Sequence, residues 1–324
     1  MRFPLADWID GHAACRFNLG GSGMAGTVRY RRPTPADLRR ASEAELRAIF
    51  ARRVGVDPDR VFLTHGATEA NALAVTYLAR RRRARSARAR VALPEYPPLV
   101  DLARAAGYRV GETPGSCDLA IVSQPHNPVG DLWPPERFLA WNRGARATVV
   151  DETFREFTPA RSLQRLGLPG LWTTGSLTKA YGADDLRVGY VVAPEREQRD
   201  FARFHGLVAD EMPPYSVAGA IATLSDAPRI LGEVRAVVAR NQALWRRARP
   251  EGPPLAAPVA FDEPVPLGGD RFARACLRAS ILVSPGRFFG RPRGVRVGMT
   301  RRGFPAALRA YLAVRARLGA RGRR

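Results

Sequence analysis

Lysine is almost missing from this chain. Fifty-two residues are Lys or Arg, and only Lys179 is a lysine. Arginine keeps the positive charge but stays protonated, so it serves neither as an amine nucleophile nor as a proton shuttle. One lysine spared in an arginine-saturated chain suggests chemistry that needs a primary amine able to lose its proton. Cysteine is scarce as well. Cys15, Cys117 and Cys276 are odd in number, widely spaced and without a Cys-x-x-Cys pair. They suit buried thiols in a reducing compartment better than disulfides, and no metal site is expected. No apolar run approaches the roughly 20 residues that span a bilayer, and Met1-Arg2-Phe3-Pro4 opens no signal-peptide segment. A cytoplasmic protein with no membrane partner is the expectation. Aromatic residues are absent from the densest basic run, Arg80–Arg90. Proteins that bind single strands interleave aromatics with such charges, so this run reads as a solvated helix end and loop, and nucleic acid is not the expected partner.

Acidic residues are outnumbered 30 to 52, leaving a net charge of +22 that attracts anions of any kind. An arginine-rich codon bias accounts for it more simply than a nucleic-acid interface does. The rest of the composition, 45% hydrophobic and 25% charged, is that of an ordinary soluble globular protein. At 324 residues the chain is long for one compact core, which favours a large α/β domain with a smaller terminal domain.

The pattern along the chain alternates strand and helix. The start at Thr34-Pro35-Ala36-Asp37 predicts a helix over 36–53. Apolar strands are predicted at 61–64, 89–93, 108–111, 118–123, 146–150, 171–175 and 187–193. Helices fall between them at 68–80, 98–106 and 134–143. Such alternation argues for a mostly parallel central sheet with helices on both faces. Helical texture continues over 195–247. It is followed by a small α+β pattern: strand 258–261, helix 270–279, strand 281–284, strand 294–298 and helix 304–317. The division expected is an arm over 1–35, a large domain over 36–245 and a small domain over 246–324.

Ligands of a parallel α/β sheet bind beyond the carboxyl ends of its strands. Five motifs stand at such ends. His65-Gly66-Ala67-Thr68-Glu69-Ala70 opens a helix, where backbone N–H groups and a hydroxyl make an anion cradle. Thr68 could equally cap that helix. Pro94-Glu95-Tyr96 offers a tyrosine able to stack on a flat ring, or simply to pack. Pro125-His126-Asn127-Pro128-Val129-Gly130 is a tight turn that aims an asparagine amide. Val149-Val150-Asp151-Glu152-Thr153-Phe154 ends a buried strand on a carboxylate, which is costly without a cationic partner. Ser176-Leu177-Thr178-Lys179, with Arg187 eight residues on, can hold a phosphate while the lysine reaches an aldehyde. A desolvated, cation-rich setting would lower that lysine's pKa.

The ordered set GATEA, PEY, PHNPVG, VVDETF, SLTK and LRVGY resembles the class I and II pyridoxal-phosphate (PLP) aminotransferases of fold type I, strongly over about 60–195. Within that family it resembles the histidinol-phosphate aminotransferase and threonine-phosphate decarboxylase branch. The resemblance implies an α/β PLP-dependent transferase fold with a small C-terminal α+β domain, pyridoxal 5′-phosphate as cofactor, a homodimer, and an amino-acid substrate converted to a keto acid. It implies that Lys179 is the Schiff-base lysine and proton shuttle, and that Asp151 pairs with the ring nitrogen. Asn127 would bond the ring 3′-oxygen and Tyr96 would stack on the ring. Ala67, Thr68, Ser176 and Arg187 would bind the phosphate, and Arg296 in Val295-Arg296-Val297 would grip the substrate carboxylate. Phe17-Asn18-Leu19-Gly20-Gly21-Ser22-Gly23 is similar to the family's substrate-covering strand, which puts Gly21 near the substrate, and has a faint likeness to the capreomycidine synthase branch. One departure stands out: Phe154 occupies the place of a tyrosine that gives the ring 3′-oxygen a second hydrogen bond. Decarboxylation or cyclisation of a (phosphorylated) amino acid is the alternative reaction, and a basic nucleic-acid-binding protein on the same fold is a remote one.

Overall fold

The computed structural model describes residues 3–81, 87–112 and 115–321. Residues 82–86 of the basic run, read above as a helix end and loop, lie outside the described residues. The chain opens with α1 (Pro4–Gly11), where Pro4 occupies the first turn and its missing N–H costs no hydrogen bond. The two-residue strand β1 (Phe17–Asn18) follows. The helix expected over 36–53 is instead two helices, α2 (Pro35–Arg40) and α3 (Glu43–Val54). Thr34 and Asp37 form a reciprocal capping box on α2. The Ser42 hydroxyl accepts from Glu45 N and starts α3 afresh, which breaks the run at Ala41.

The next elements are β2 (Val61–Thr64), α4 (Ala67–Arg80), β3 (Arg88–Val91), α5 (Pro97–Ala105), β4 (Arg109–Gly111) and β5 (Cys117–Ser123). Then come α6 (Pro135–Asn142), β6 (Ala145–Asp151), β7 (Leu171–Ser176) and β8 (Gly189–Val192). Their seven strands form one sheet in the order β2-β8-β7-β6-β5-β3-β4. β3 to β7 pair in parallel, and β8 runs antiparallel to both neighbours. β2, β7 and β8 are buried along their whole length, because helices cover both faces. The reversal of β8 has a use. It brings the start of that strand, just after Arg187, to the edge where the other strands end.

The helical stretch after the sheet is three separate helices, α7 (Gln198–Val208), α8 (Pro214–Ser225) and α9 (Ala227–Ala248). The chain ends with β9 (Val259–Asp262), α10 (Gly269–Arg278), β10 (Ile281–Leu282), β11 (Ser284–Pro285), β12 (Val295–Gly298) and α11 (Phe304–Arg321). β11, β12 and β9 make an antiparallel sheet, while β10 pairs in parallel with β1. The strand expected over 281–284 is thus divided between two partners. The N-terminal arm packs on this C-terminal unit, and the Trp8 indole donates to Val283 O at 2.8 Å. Leu19, Trp245, Phe272 and Tyr311 share one apolar cluster there. Residue 245, where the sequence suggests a boundary, lies inside α9 with its indole 5.9 Å from the Tyr311 ring.

Candidate active site

A cavity of about 480 Å³ opens at the carboxyl edge of the seven-stranded sheet, walled also by the arm and by β12. Ala67, Thr68, Tyr96, Asn127, Asp151, Phe154, Lys179, Arg187, Arg296 and Gly21 all line it. Of the residues expected at the site, only Ser176 does not.

One end of the cavity is built to receive an anion. Gly66, at φ +93°, turns the chain from β2 into α4 without a side-chain cap, so Thr68 is not the cap residue. The first-turn N–H groups of α4 therefore point outward beside Ala67 and Thr68, at the positive end of the helix. β8 closes against this turn because Gly189 has no side chain: a Cβ there would lie 2.6 Å from Gly66 C. Arg187, itself at φ +53°, places its guanidinium over Gly66 and donates weakly to His65 O at 3.4 Å. Ser176 Oγ is 2.7 Å from Thr178 Oγ1, so Thr178 is the hydroxyl at the cavity wall.

The centre holds Asp151 and Lys179. Asp151 is buried and accepts from Asn71 Nδ2 and from Thr153 N, both at 2.8 Å. Thr174 donates to Asn71 Oδ1 at 2.7 Å and fixes the amide that holds the carboxylate. Among the described residues Asp151 forms no ion pair. Burial pushes its pKa up, against the hydrogen bonds from Thr153 and Asn71. Lys179 is half-buried, and among the described residues its amine has no hydrogen bond or ion pair. Desolvation lowers its pKa, Arg296 and Arg187 add to that, and Asp184 and Asp151 oppose it. Such an amine gives up its proton more readily than an ordinary lysine. Its backbone is held by the arm, since Met24 N donates to Lys179 O at 2.9 Å.

At the other end stands Arg296, only 2% exposed. Its Nη1 donates to Asn127 Oδ1 at 3.1 Å and its Nη2 to Gly20 O at 2.6 Å. Among the described residues its Nε is buried without a hydrogen-bond partner. No carboxylate neutralises this cation among the described residues, and desolvation lowers its pKa to about 10. A guanidinium with no counter-charge and N–H groups to spare can receive a carboxylate. Gly21 lies beside it, on backbone tied to Asn18 Oδ1, and a Cβ on Gly298 would meet Gly21 O at 1.9 Å. Tyr96 forms a second wall, with Phe3 of the arm edge-on at 6.0 Å. Phe154 packs edge-on to Phe157 at 5.8 Å and offers the cavity no donor.

Several residues of this site escape a reading of the sequence. Asn71 sits mid-helix, eighty residues from the carboxylate it holds. Phe3, Ala6, Ile9 and Asp10 of the N-terminal segment, and Arg301 and Asp184 at the mouth, also line the cavity. Thr178 is the one with a local signal, being next to the lysine.

The aminotransferase class I and II family matches residues 34–309. The chain belongs to that family. Capreomycidine synthase of Streptomyces vinaceus is 28% identical, with 99% of this chain and 95% of that protein covered. A PLP-dependent aminotransferase of Streptococcus suis superposes with a TM-score of 0.81 at 18% identity, over 98% of each chain. The PLP-dependent cyclase OrfR superposes with a TM-score of 0.76 at 25% identity, over 99% of this chain and 98% of that one. The family's cofactor is pyridoxal 5′-phosphate. The cavity of this aminotransferase-family chain fits that group on its own chemistry. It offers an anion cradle at Gly66–Thr68 and, among the described residues, a buried carboxylate without a cation and a lysine amine without a partner.

Proposed function

We propose that this chain is a PLP-dependent enzyme working at the α-carbon of an amino acid, transferring its amine to leave a keto acid. What carries the reading is one cavity in which, among the described residues, the Lys179 amine has no partner, Asp151 no cation and Arg296 no anion. Bound there, PLP supplies an aldehyde that condenses with amines and a ring that withdraws electrons. Ala67, Thr68, Thr178 and Arg187 bind the phosphate at the head of α4. Asp151 would hold a proton on the ring nitrogen, and that cation would offset the penalty on its buried charge. The Asn127 amide, its Oδ1 engaged by Arg296, would donate to the ring 3′-oxygen, and Tyr96 would stack on the ring. Arg296 would bind the substrate α-carboxylate and so orient the α-carbon toward Lys179, which would take the α-proton and deliver it to the former aldehyde carbon of the cofactor.

Lys179 is the sole lysine, so the test is direct. Borohydride reduction of the protein with PLP should fix the cofactor on the peptide that contains Lys179, and Lys179→Ala should abolish the labelling. A wild-type protein that takes up no PLP overturns the proposal. A second reading, cyclisation of the amino-acid side chain, is favoured by the full-length likeness to the cyclase OrfR. Over an amino-acid panel, amine transfer yields a keto acid and aminated cofactor, decarboxylation yields CO₂, and cyclisation yields neither. We further propose a homodimer as the working unit. Sedimentation should return twice the 35.5 kDa chain mass, and a monomer at assay concentration contradicts it.

A further inference from the structure

Behind the cavity wall lies a hydrogen-bonded chain that starts from a carboxylate touching neither the cavity nor solvent. Glu95 is fully buried and follows β3; Ser123 ends the neighbouring strand β5, and His126 lies just beyond it. Glu95 Oε1 accepts from the Ser123 hydroxyl and from Tyr96 N, both at 2.6 Å. Glu95 Oε2 accepts from Ser123 N at 2.8 Å. With its proton committed to Glu95, Ser123 Oγ is free to accept, and it takes Asn127 N at 2.8 Å. Asn127 Oδ1 in turn takes Arg296 Nη1 at 3.1 Å. One carboxylate thus organises Tyr96, Asn127 and, through Asn127, Arg296.

An amide does not fit this place. Three donors converge on two oxygens, with the Ser123 N–H on Oε2, so an amide nitrogen there would set donor against donor. A buried anion also needs a counter-charge. His126 provides it: Nε2 is 3.5 Å from Glu95 Oε2 and 3.1 Å from Ala92 O, and Nδ1 faces Asp131 Oδ1 at 3.7 Å. Asp131 is itself paired with Arg137 at 3.0 Å, and the Trp133 ring lies 5.5 Å from the imidazole. Burial disfavours the imidazolium, but Glu95 and Asp131 outweigh it and the His126 pKa is raised.

We propose that Glu95 is a positioning residue. Its carboxylate, paired with His126, sets the Tyr96 and Asn127 faces of the cofactor site and ties them through Asn127 to the Arg296 clamp. This rests on the reading of the cavity as a PLP and amino-acid site.

The test uses PLP itself, titrated into cofactor-free wild type, Glu95→Gln and Ser123→Ala. Measurements are made well below each protein's melting temperature, so that only folded protein is compared. Ser123→Ala cuts the link to Asn127 but leaves Glu95 facing His126, which keeps the test open should Glu95→Gln fail to fold. Each folded variant is expected to bind PLP at least tenfold more weakly. The pH midpoint of the bound cofactor's visible band should also move by half a unit or more. Were Glu95 only a structural support, melting temperature would fall while affinity and midpoint stayed put. PLP affinity within twofold of wild type and an unmoved midpoint in Ser123→Ala overturn the proposal. Failure of wild type to bind PLP is a separate outcome, and it overturns the functional reading on which this one stands.

Discussion

Asp151 and Arg296 bring opposite charges into one cavity, and no ion pair joins them. Each is paired instead with neutral amide or carbonyl groups, which hold it in place without cancelling its charge. The cost falls on the cofactor-free protein. The folded-state pKa of Asp151 is raised, chiefly by burial. A raised carboxyl pKa leaves the fold unburdened at low pH, where the group is protonated folded or unfolded, and costs stability as pH rises through the folded value. If the Asn71 amide turns over, with its Oδ1 taking the new amide and its Nδ2 donating to the Thr174 hydroxyl, both hydrogen bonds survive in Asp151→Asn. That variant should then raise the melting temperature of cofactor-free protein at pH 8 by about 2–4 °C, with the gain shrinking toward pH 4.5. Calorimetry at the two pH values checks this, and a gain independent of pH contradicts it. Phe154 allows a second prediction. Phe154→Tyr would restore a donor near the ring 3′-oxygen, so the pH midpoint of the cofactor's visible band should fall. A spectral titration that finds it unchanged or higher counts against that role. Lys179 and Asp151 are legible in the sequence because each is a charged residue at or just past a recognisable strand end, whereas Arg296, inside β12, comes only with the family resemblance. Asn71, Ser123 and Glu95 are not legible. Their meaning lies in partners 80, 4 and 28 residues away, which chain order does not reveal.

At the scale of elements, the site depends on close backbone approaches more than on any one side chain. The head of α4 can form a cradle only because β8 fits against Gly66, and it fits only because Gly189 carries no Cβ. Gly189→Ala should push Gly66 and the first turn of α4 aside. We expect about 2 kcal/mol lost in stability, read by denaturant melts, and PLP affinity down about tenfold. An alanine variant with wild-type affinity would mean that the turn tolerates the shift. Gly130 does comparable work for the Asn127 turn. It sits at φ +89°, and its carbonyl accepts from Ala256 N and Ala257 N, which ties the turn to the C-terminal unit. Strands of the sheet were legible as apolar runs because burial on both faces leaves no alternation to decode. The break between α2 and α3 is not legible even though Ser42 and Glu45 stand at capping distance, because the apolar spacing runs on across it. The division of 281–284 between two sheets is set by a partner near the N-terminus, which no local pattern contains.

At the scale of the whole molecule, charge and chemistry separate. Many arginines serve as multi-pronged donors to backbone carbonyls: Arg60 to Ala193, Arg90 to Trp141, Arg143 and Gly115, and Arg235 to Glu156 and Thr158. They stitch loops to strands, work for which a five-donor fork suits better than an ammonium. The surplus charge of +22 should still attract polyanions without sequence preference. Binding to random duplex DNA is expected to fall steeply between about 50 and 200 mM salt, with cofactor absorbance unchanged throughout. DNA binding that resists salt and excludes PLP would revive a nucleic-acid role. The spared lysine has a practical consequence. In protein grown on isotope-labelled lysine, the whole molecule would carry one labelled side chain, and that side chain is the candidate catalytic amine. A single resonance, free of overlap, would then report its titration, its response to cofactor and its exchange with substrate.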